Sequence, residues 1–151
     1  MPDTLAMKAM PQAAQRDEDR KATSLPDLHD ILLVEDEDFD ARRLSATLRV
    51  TLGRTIDVRR ISAVREISAA IERSMPDIVF IDDYLGPTDT ALQTIPELRS
   101  AGYTGSIIVM SGEMDRARTI KLGALGASEA LHKDDITSAT LTTALSRALT
   151  S

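Results

Sequence analysis

The sequence predicts an α/β fold, with five parallel strands alternating with five helices that cover both faces of the sheet. Three observations predict it. The apolar runs Ile31-Leu32-Leu33-Val34, Ile78-Val79-Phe80-Ile81 and Ile107-Ile108-Val109-Met110 are short and unbroken. Such runs suit strands buried on both faces, since a half-solvated strand would alternate polar and apolar residues. Between the runs, apolar residues recur at helical spacing, and strands separated by helical stretches of about 10 to 15 residues imply right-handed crossovers and a parallel sheet. Finally, each strong run ends in a polar group, and a parallel sheet gathers all those ends on one edge.

In chain order, residues 1–28 show no sustained periodicity and carry the mixed-charge run Arg16-Asp17-Glu18-Asp19-Arg20-Lys21. They read as a flexible tail, with at most a marginal helix over residues 5–15, and Met7 and Met10 can serve as internal starts. A single domain then fills residues 29–151. Its first strand, Asp30 to Val34, runs into Glu35-Asp36-Glu37-Asp38, of which Glu37 and Asp38 suit a cap and a negative first helical turn. Ala41, Leu44, Leu48 and Leu52 mark the first helix, which Gly53 ends. Residues 55–59 alternate and form a short strand near a sheet edge. Val64, Ile67 and Ile71 mark a second helix that stops before Pro76, because the residue before proline disfavours the helical region.

The central strand follows, and after Asp82-Asp83 the Gly86-Pro87 turn leads to a helix capped by Thr88 or Asp89, with Leu92, Ile95 and Leu98 on one face. Pro96 inside that pattern kinks the helix or starts it. Tyr103-Thr104-Gly105 turns the chain into the fourth strand, which closes at Ser111-Gly112. A helix over residues 113–124 is expected to bury Ala117, Ile120 and Leu122 or Ala124. Gly126-Ala127 leads into a weak strand, Glu129-Ala130-Leu131-His132, which ends at Lys133. Asp134 or Asp135 caps the last helix, whose apolar face carries Ile136, Leu141, Leu145 and Leu149.

Composition narrows the function classes. With 151 residues, two Phe, two Tyr and no Trp, the core must be aliphatic. The absence of cysteine excludes disulfides and thiolate metal sites. A net charge of −6 argues against direct nucleic-acid binding. No apolar run approaches the roughly 18 residues of a membrane span, and no apolar signal core opens the chain, so the expected address is the cytoplasm.

The strand ends carry the chemistry. The first strand ends in Glu35-Asp36, the third in Asp82-Asp83, the fourth in Ser111 and the fifth in Lys133. Carboxylates gathered on one edge repel unless a cation neutralises them, and Mg²⁺ suits a site of a few carboxylates, waters and a phosphoryl group. A carboxylate can accept a phosphoryl group as a nucleophile, giving an acyl phosphate. Such transfer asks mainly for positioning and charge neutralisation, which a metal, a lysine and a hydroxyl supply. Asp83 competes with Asp82 on residue type, although strand alternation points the two in opposite directions. His132 fits a structural or exposed role.

With those residues in view, the chain resembles the CheY-like receiver domains of two-component response regulators, of the stand-alone, single-domain type. The motifs are Ile31-Leu32-Leu33-Val34-Glu35-Asp36, Pro76-Asp77-Ile78-Val79-Phe80-Ile81-Asp82, Ile107-Ile108-Val109-Met110-Ser111-Gly112, and Gly126-Ala127 ahead of Lys133. The resemblance implies a flavodoxin-like, doubly wound sheet of order 2-1-3-4-5, which sets Asp36 and Asp82 on adjacent strands at the switch point. It implies Asp82 as phosphoacceptor, a Mg²⁺ site of Glu35, Asp36, Asp82 and the Tyr84 backbone carbonyl, with Asp36 the more direct ligand and Glu35 acting through water, and Ser111 and Lys133 as partners of the phosphoryl group. It further implies a phosphoacceptor signalling protein, not an enzyme in its own right. A sensor histidine kinase or histidine phosphotransfer protein would load it, and its output would be a protein target, a relay or a phosphorylation-dependent dimer.

Three departures bear on output. Receivers commonly carry an aromatic three residues before the lysine, where this chain has Ala130; proline usually follows the lysine, where this chain has Asp134; and Gly86-Pro87 replaces the common Pro-Gly turn. Tyr84 and Glu113, each two residues past a site residue, flank the path of an attacking water and are expected to tune the acyl phosphate lifetime. The competing reading is a pseudo-receiver, a constitutive protein-interaction module that is never phosphorylated. A flavin-binding domain fails on charge, since Glu35-Asp36-Glu37-Asp38 would repel a phosphate after the first strand.

Overall fold

The structure is a computed structural model and describes residues 25–150. The expected tail helix over residues 5–15, the internal starts Met7 and Met10, and the run Arg16 to Lys21 lie outside the described residues. Five parallel strands form the sheet: β1 (Asp30–Val34), β2 (Asp57–Ile61), β3 (Ile78–Asp82), β4 (Ile107–Ser111) and β5 (Glu129–His132). Their spatial order is β2-β1-β3-β4-β5. Five helices connect or follow them: α1 (Asp38–Leu52), α2 (Ile67–Arg73), α3 (Ala91–Ser100), α4 (Arg116–Ala124) and α5 (Ser138–Thr150). This is the flavodoxin-like arrangement, with β1 and β3 side by side where the winding direction reverses.

The unbroken apolar runs divide by strand parity, as a doubly covered sheet requires. Ile31, Leu33, Phe80, Ile108 and Met110 face α1 and α5, packing with Leu44, Leu48, Leu141 and Leu145. Leu32, Val34, Val79, Ile81, Ile107 and Val109 face the other way, against Ile67, Ile71, Ile95, Leu98 and Leu122. Both clusters are almost wholly aliphatic, Phe80 and Tyr103 being the large exceptions. Leu28 is buried in the first cluster, with Leu25 packed beside it. Gly53 ends α1 at φ +102, a conformation that L side chains rarely adopt.

Several boundaries differ from the sequence reading. The edge strand β2 covers residues 57–61 and not 55–59, because Asp57, not Thr55, pairs with Asp30. A hairpin with two residues in each strand, Tyr84–Leu85 against Asp89–Thr90, occupies the segment after Asp82. It shifts the α3 cap from Thr88 or Asp89 to Thr90, whose hydroxyl accepts from Leu92 N at 3.1 Å. Pro96 lies inside α3. Asp134 and Asp135 form a 3₁₀ turn, and Thr137 stands ahead of α5, its hydroxyl accepting from Thr140 N at 3.2 Å. Glu37 occupies the N-cap position of α1 without a side-chain cap bond, and Asp38 pairs with Arg60.

The largest correction concerns α4. It starts at Arg116 behind an Asp115 cap, and its Ala117, Ile120 and Ala124 face solvent, Ile120 being 63% exposed, while Leu122 is buried. Ile120→Ser is therefore expected to change unfolding free energy by no more than about 0.5 kcal/mol, the range of surface substitutions. A denaturant midpoint shift of core size would place Ile120 inside after all.

Candidate phosphoacceptor site

Parallel pairing brings the carboxyl ends of β1, β3, β4 and β5 to one edge, and the predicted residues meet there. Glu35 is buried at the end of β1, Asp82 is nearly buried at the end of β3, and Ser111 is fully buried at the end of β4. Lys133, just past β5, directs its ammonium into the cluster. Its Nζ donates to Glu35 Oε1 at 2.7 Å, to Asp40 Oδ2 at 2.7 Å and to Asp82 Oδ2 at 3.1 Å. Asp82 Oδ1 accepts from Tyr84 N at 3.3 Å, and Ser111 Oγ accepts from Glu113 N at 3.0 Å. Asp82, Tyr84, Ser111, Glu113 and Lys133 all line one open cleft.

One lysine cannot neutralise so much acid. Burial first, and then a hydrogen bond with Asp82, push the Glu35 carboxyl up to about 8, against the pull of Lys133. Burial works against the charge of Lys133, but its hydrogen bonds to Asp40 and Glu35 outweigh that and hold its pKa above the ordinary lysine value. Glu35, Asp36 and Asp82 each offer a carboxylate oxygen, and these atoms lie within 4.8 Å of one another. All-oxygen donors at that spacing, with unneutralised charge, fit a hard divalent cation such as Mg²⁺. Asp36 is exposed, and Gly86 N donates to its Oδ2 at 2.9 Å, so the loop after β3 is tied to the end of β1.

The model of the response regulator receiver domain family matches residues 31–146. The chain belongs to that family. Receiver domains are signalling modules of two-component systems. No curated protein matches this one. Among solved structures it is similar to the BeF3-activated N-terminal receiver domain of Klebsiella pneumoniae RstA, at 24% identity and TM-score 0.67, covering 80% of this chain and 98% of that one. It is also similar to the Vibrio cholerae chemotaxis protein CheY4, at 22% identity and TM-score 0.68, covering 81% and 99%. The beryllofluoride-activated NtrC4 receiver domain dimer matches at 20% identity and TM-score 0.67, covering 79% and 94%. At these identities the structures attest the fold.

Within this receiver domain, Ala130 stands opposite Val109 in the β4–β5 ladder, so no aromatic occupies the position three residues before the lysine. His132 is partly exposed, and its Nδ1 accepts from Asp134 N at 3.1 Å, a local structural role. Sequence reasoning passed over two participants, Asp40 and Arg118, while Asp83 points away from Asp82 as strand alternation predicts. Asp40, in the first turn of α1, completes the ring of acids around Lys133; the signal was there, since a further acid follows the acidic run after Phe39. Asp83 turns away from the cleft onto Arg118, a partner 35 positions away that no local pattern announces.

Among the described residues no helix is long and apolar enough to cross a membrane.

Proposed function

We propose that this receiver domain is a phosphorylation switch with Asp82 as its phosphoacceptor, loaded by a sensor histidine kinase or a histidine phosphotransfer protein in a Mg²⁺-dependent reaction. One observation carries the reading: Asp82 Oδ2 lies 3.1 Å from Lys133 Nζ in an open cleft, with Glu35 and Asp36 beside it as a ready cation site. An Asp82 oxygen attacks the phosphorus of the donor phosphohistidine, the P–N bond breaks, and the imidazole nitrogen leaves with the electron pair. Lys133 then pairs with the phosphoryl oxygens and the Ser111 hydroxyl hydrogen-bonds them, both already fixed by the ends of β4 and β5. Glu35, Asp36, Asp82 and the Tyr84 backbone carbonyl would hold Mg²⁺, which when bound would neutralise the charge of the incoming phosphoryl group.

In the cytoplasm the receiver would signal by binding another protein, by passing phosphoryl groups along a relay, or by pairing with a second copy; the beryllofluoride-activated NtrC4 receiver domain, similar in fold, is a dimer. Ala130 and Asp134, in place of the common aromatic and proline, favour one second reading, a pseudo-receiver that binds partners without phosphorylation. Acetyl phosphate with and without Mg²⁺, on wild type and Asp82→Asn, separates the two. The expected result is Mg²⁺-dependent modification of wild type that disappears in the variant. An unmodified wild type, or equal modification of both, removes the Asp82 assignment and leaves the pseudo-receiver.

A further inference from the structure

We infer that Arg118, locked in place by the buried Asp83, is a positioning residue that holds the Tyr84 ring over the phosphoacceptor cleft and so prolongs the acyl phosphate; the lifetime claim rests on the Asp82 reading above.

Asp83 is completely buried, an expensive place for a carboxylate unless it is paired and hydrogen-bonded. It is both. Arg118 Nε donates to Oδ2 at 2.8 Å and Arg118 Nη2 donates to Oδ1 at 2.7 Å, while Ala91 N at the start of α3 donates to Oδ1 at 3.2 Å. The two-pronged contact fixes the plane of the guanidinium, which a lysine could not do. That fixed plane meets Tyr84: the guanidinium carbon lies 5.8 Å from the ring centroid, within cation–π reach. Tyr84 is 48% exposed and lines the cleft together with Asp82, Ser111 and Lys133. Apolar packing alone does not account for where Arg118 sits, because its neighbours Ala117 and Ile120 face solvent. The ion pair does, and it joins α4 to the residue next to the phosphoacceptor.

The consequence is kinetic. In hydrolysis a water oxygen bonds to phosphorus as the bond from phosphorus to the Asp82 oxygen breaks, returning the carboxylate and releasing inorganic phosphate. A ring held over the cleft obstructs that water, and a ring set free does not.

The test compares wild type with four variants: Arg118→Lys, which keeps the charge and loses the fork; the double variant Asp83→Leu/Arg118→Leu, which leaves no buried charge to unfold the chain; Tyr84→Ala alone; and Tyr84→Ala with Arg118→Lys. Two readouts are taken on the full chain. The first is NMR of ring-labelled tyrosine without phosphorylation, which is readable because the chain has two tyrosines, Tyr84 and the buried Tyr103. The second is decay of the acyl phosphate after loading with acetyl phosphate and Mg²⁺ and removal of the donor. Tyr84 ring signals are expected to move toward those of free tyrosine in Arg118→Lys and in the double leucine variant. The acyl phosphate is expected to decay about threefold faster in both, the size of a modest cation–π contact. On the Tyr84→Ala background, Arg118→Lys should add nothing further. Unchanged ring signals, or an Arg118→Lys effect that persists without the tyrosine ring, would overturn the inference. A wild type that never loads is failure of the Asp82 reading and takes the lifetime claim with it, while the ring signals still decide whether the pair holds Tyr84.

Discussion

Replacing Lys133 with alanine is expected to lower stability by about 2–3 kcal/mol in the absence of divalent cation, because it leaves buried acid without its counter-charge. Glu35 is 1% exposed and takes its ion pair from Lys133 at 2.7 Å, while Asp40 and Asp82 lose the same ammonium. The lysine side chain is itself only 16% exposed, so water does not replace it well. The same substitution should strengthen Mg²⁺ binding, since Lys133 and the cation compete for the same carboxylates. Loading by acetyl phosphate should nevertheless slow at least about tenfold, as the phosphoryl oxygens lose their charged partner. Thermal unfolding with and without Mg²⁺, together with a calorimetric Mg²⁺ titration, reads all of this. Weaker Mg²⁺ binding in Lys133→Ala would mean that the lysine organises the cation site and does not compete for it.

The strand-end groups were legible because their signal is one-dimensional. An apolar run fixes a buried strand and parallel pairing fixes which end is which, so Glu35-Asp36, Asp82-Asp83, Ser111 and Lys133 reach one edge by position, while the resemblance to receiver domains picks Asp82 over Asp83. What escaped needs the third dimension. The Asp83–Arg118 pair joins β3 to α4 across 35 positions, and at 0% exposure Asp83 breaks the expectation that carboxylates stay wet. The face of α4 was misjudged because helical spacing identifies a stripe without saying how firmly the sheet covers it. Ile120 belongs to an apolar stripe in sequence, yet Leu122 is the residue that reaches the core. Tyr103 looked like part of a turn, but the turn lies at Ala101-Gly102, and the Tyr103 ring is buried, with its hydroxyl donating to Ser106 O at 2.6 Å. The close approach of Gly105 permits this, since a Cβ there would meet the Tyr103 hydroxyl at 2.5 Å. The α3 cap moved to Thr90 because a hairpin of two residues per strand is too short to carry a periodic signal.

Phe80→Ala is expected to be the most damaging single truncation, costing about 3–5 kcal/mol, because the ring is wholly buried and its neighbours cannot collapse onto the gap. Phe80 lies between Leu33 on β1 and Ile108 on β4 in the middle of the sheet, and it packs in the layer under α1 and α5. With so few aromatics in the chain, no second large side chain stands ready to refill the space. Against a total stability of about 5–15 kcal/mol, such a loss consumes a large share of the margin and lowers the melting temperature by about 10–20 °C. Phe80 is also two residues from Asp82 on the same strand, so a loosened β3 would loosen the carboxylate as well. Mg²⁺ offers the way to tell the two effects apart. If the strand remains native between unfolding events, saturating Mg²⁺ should raise the melting temperature of Phe80→Ala as much as that of wild type, since a ligand stabilises in proportion to its affinity for the folded form. A much smaller Mg²⁺ shift in the variant would mean that the core ring also fixes the geometry of the acidic site, which makes packing under β3 part of the phosphoryl chemistry above it.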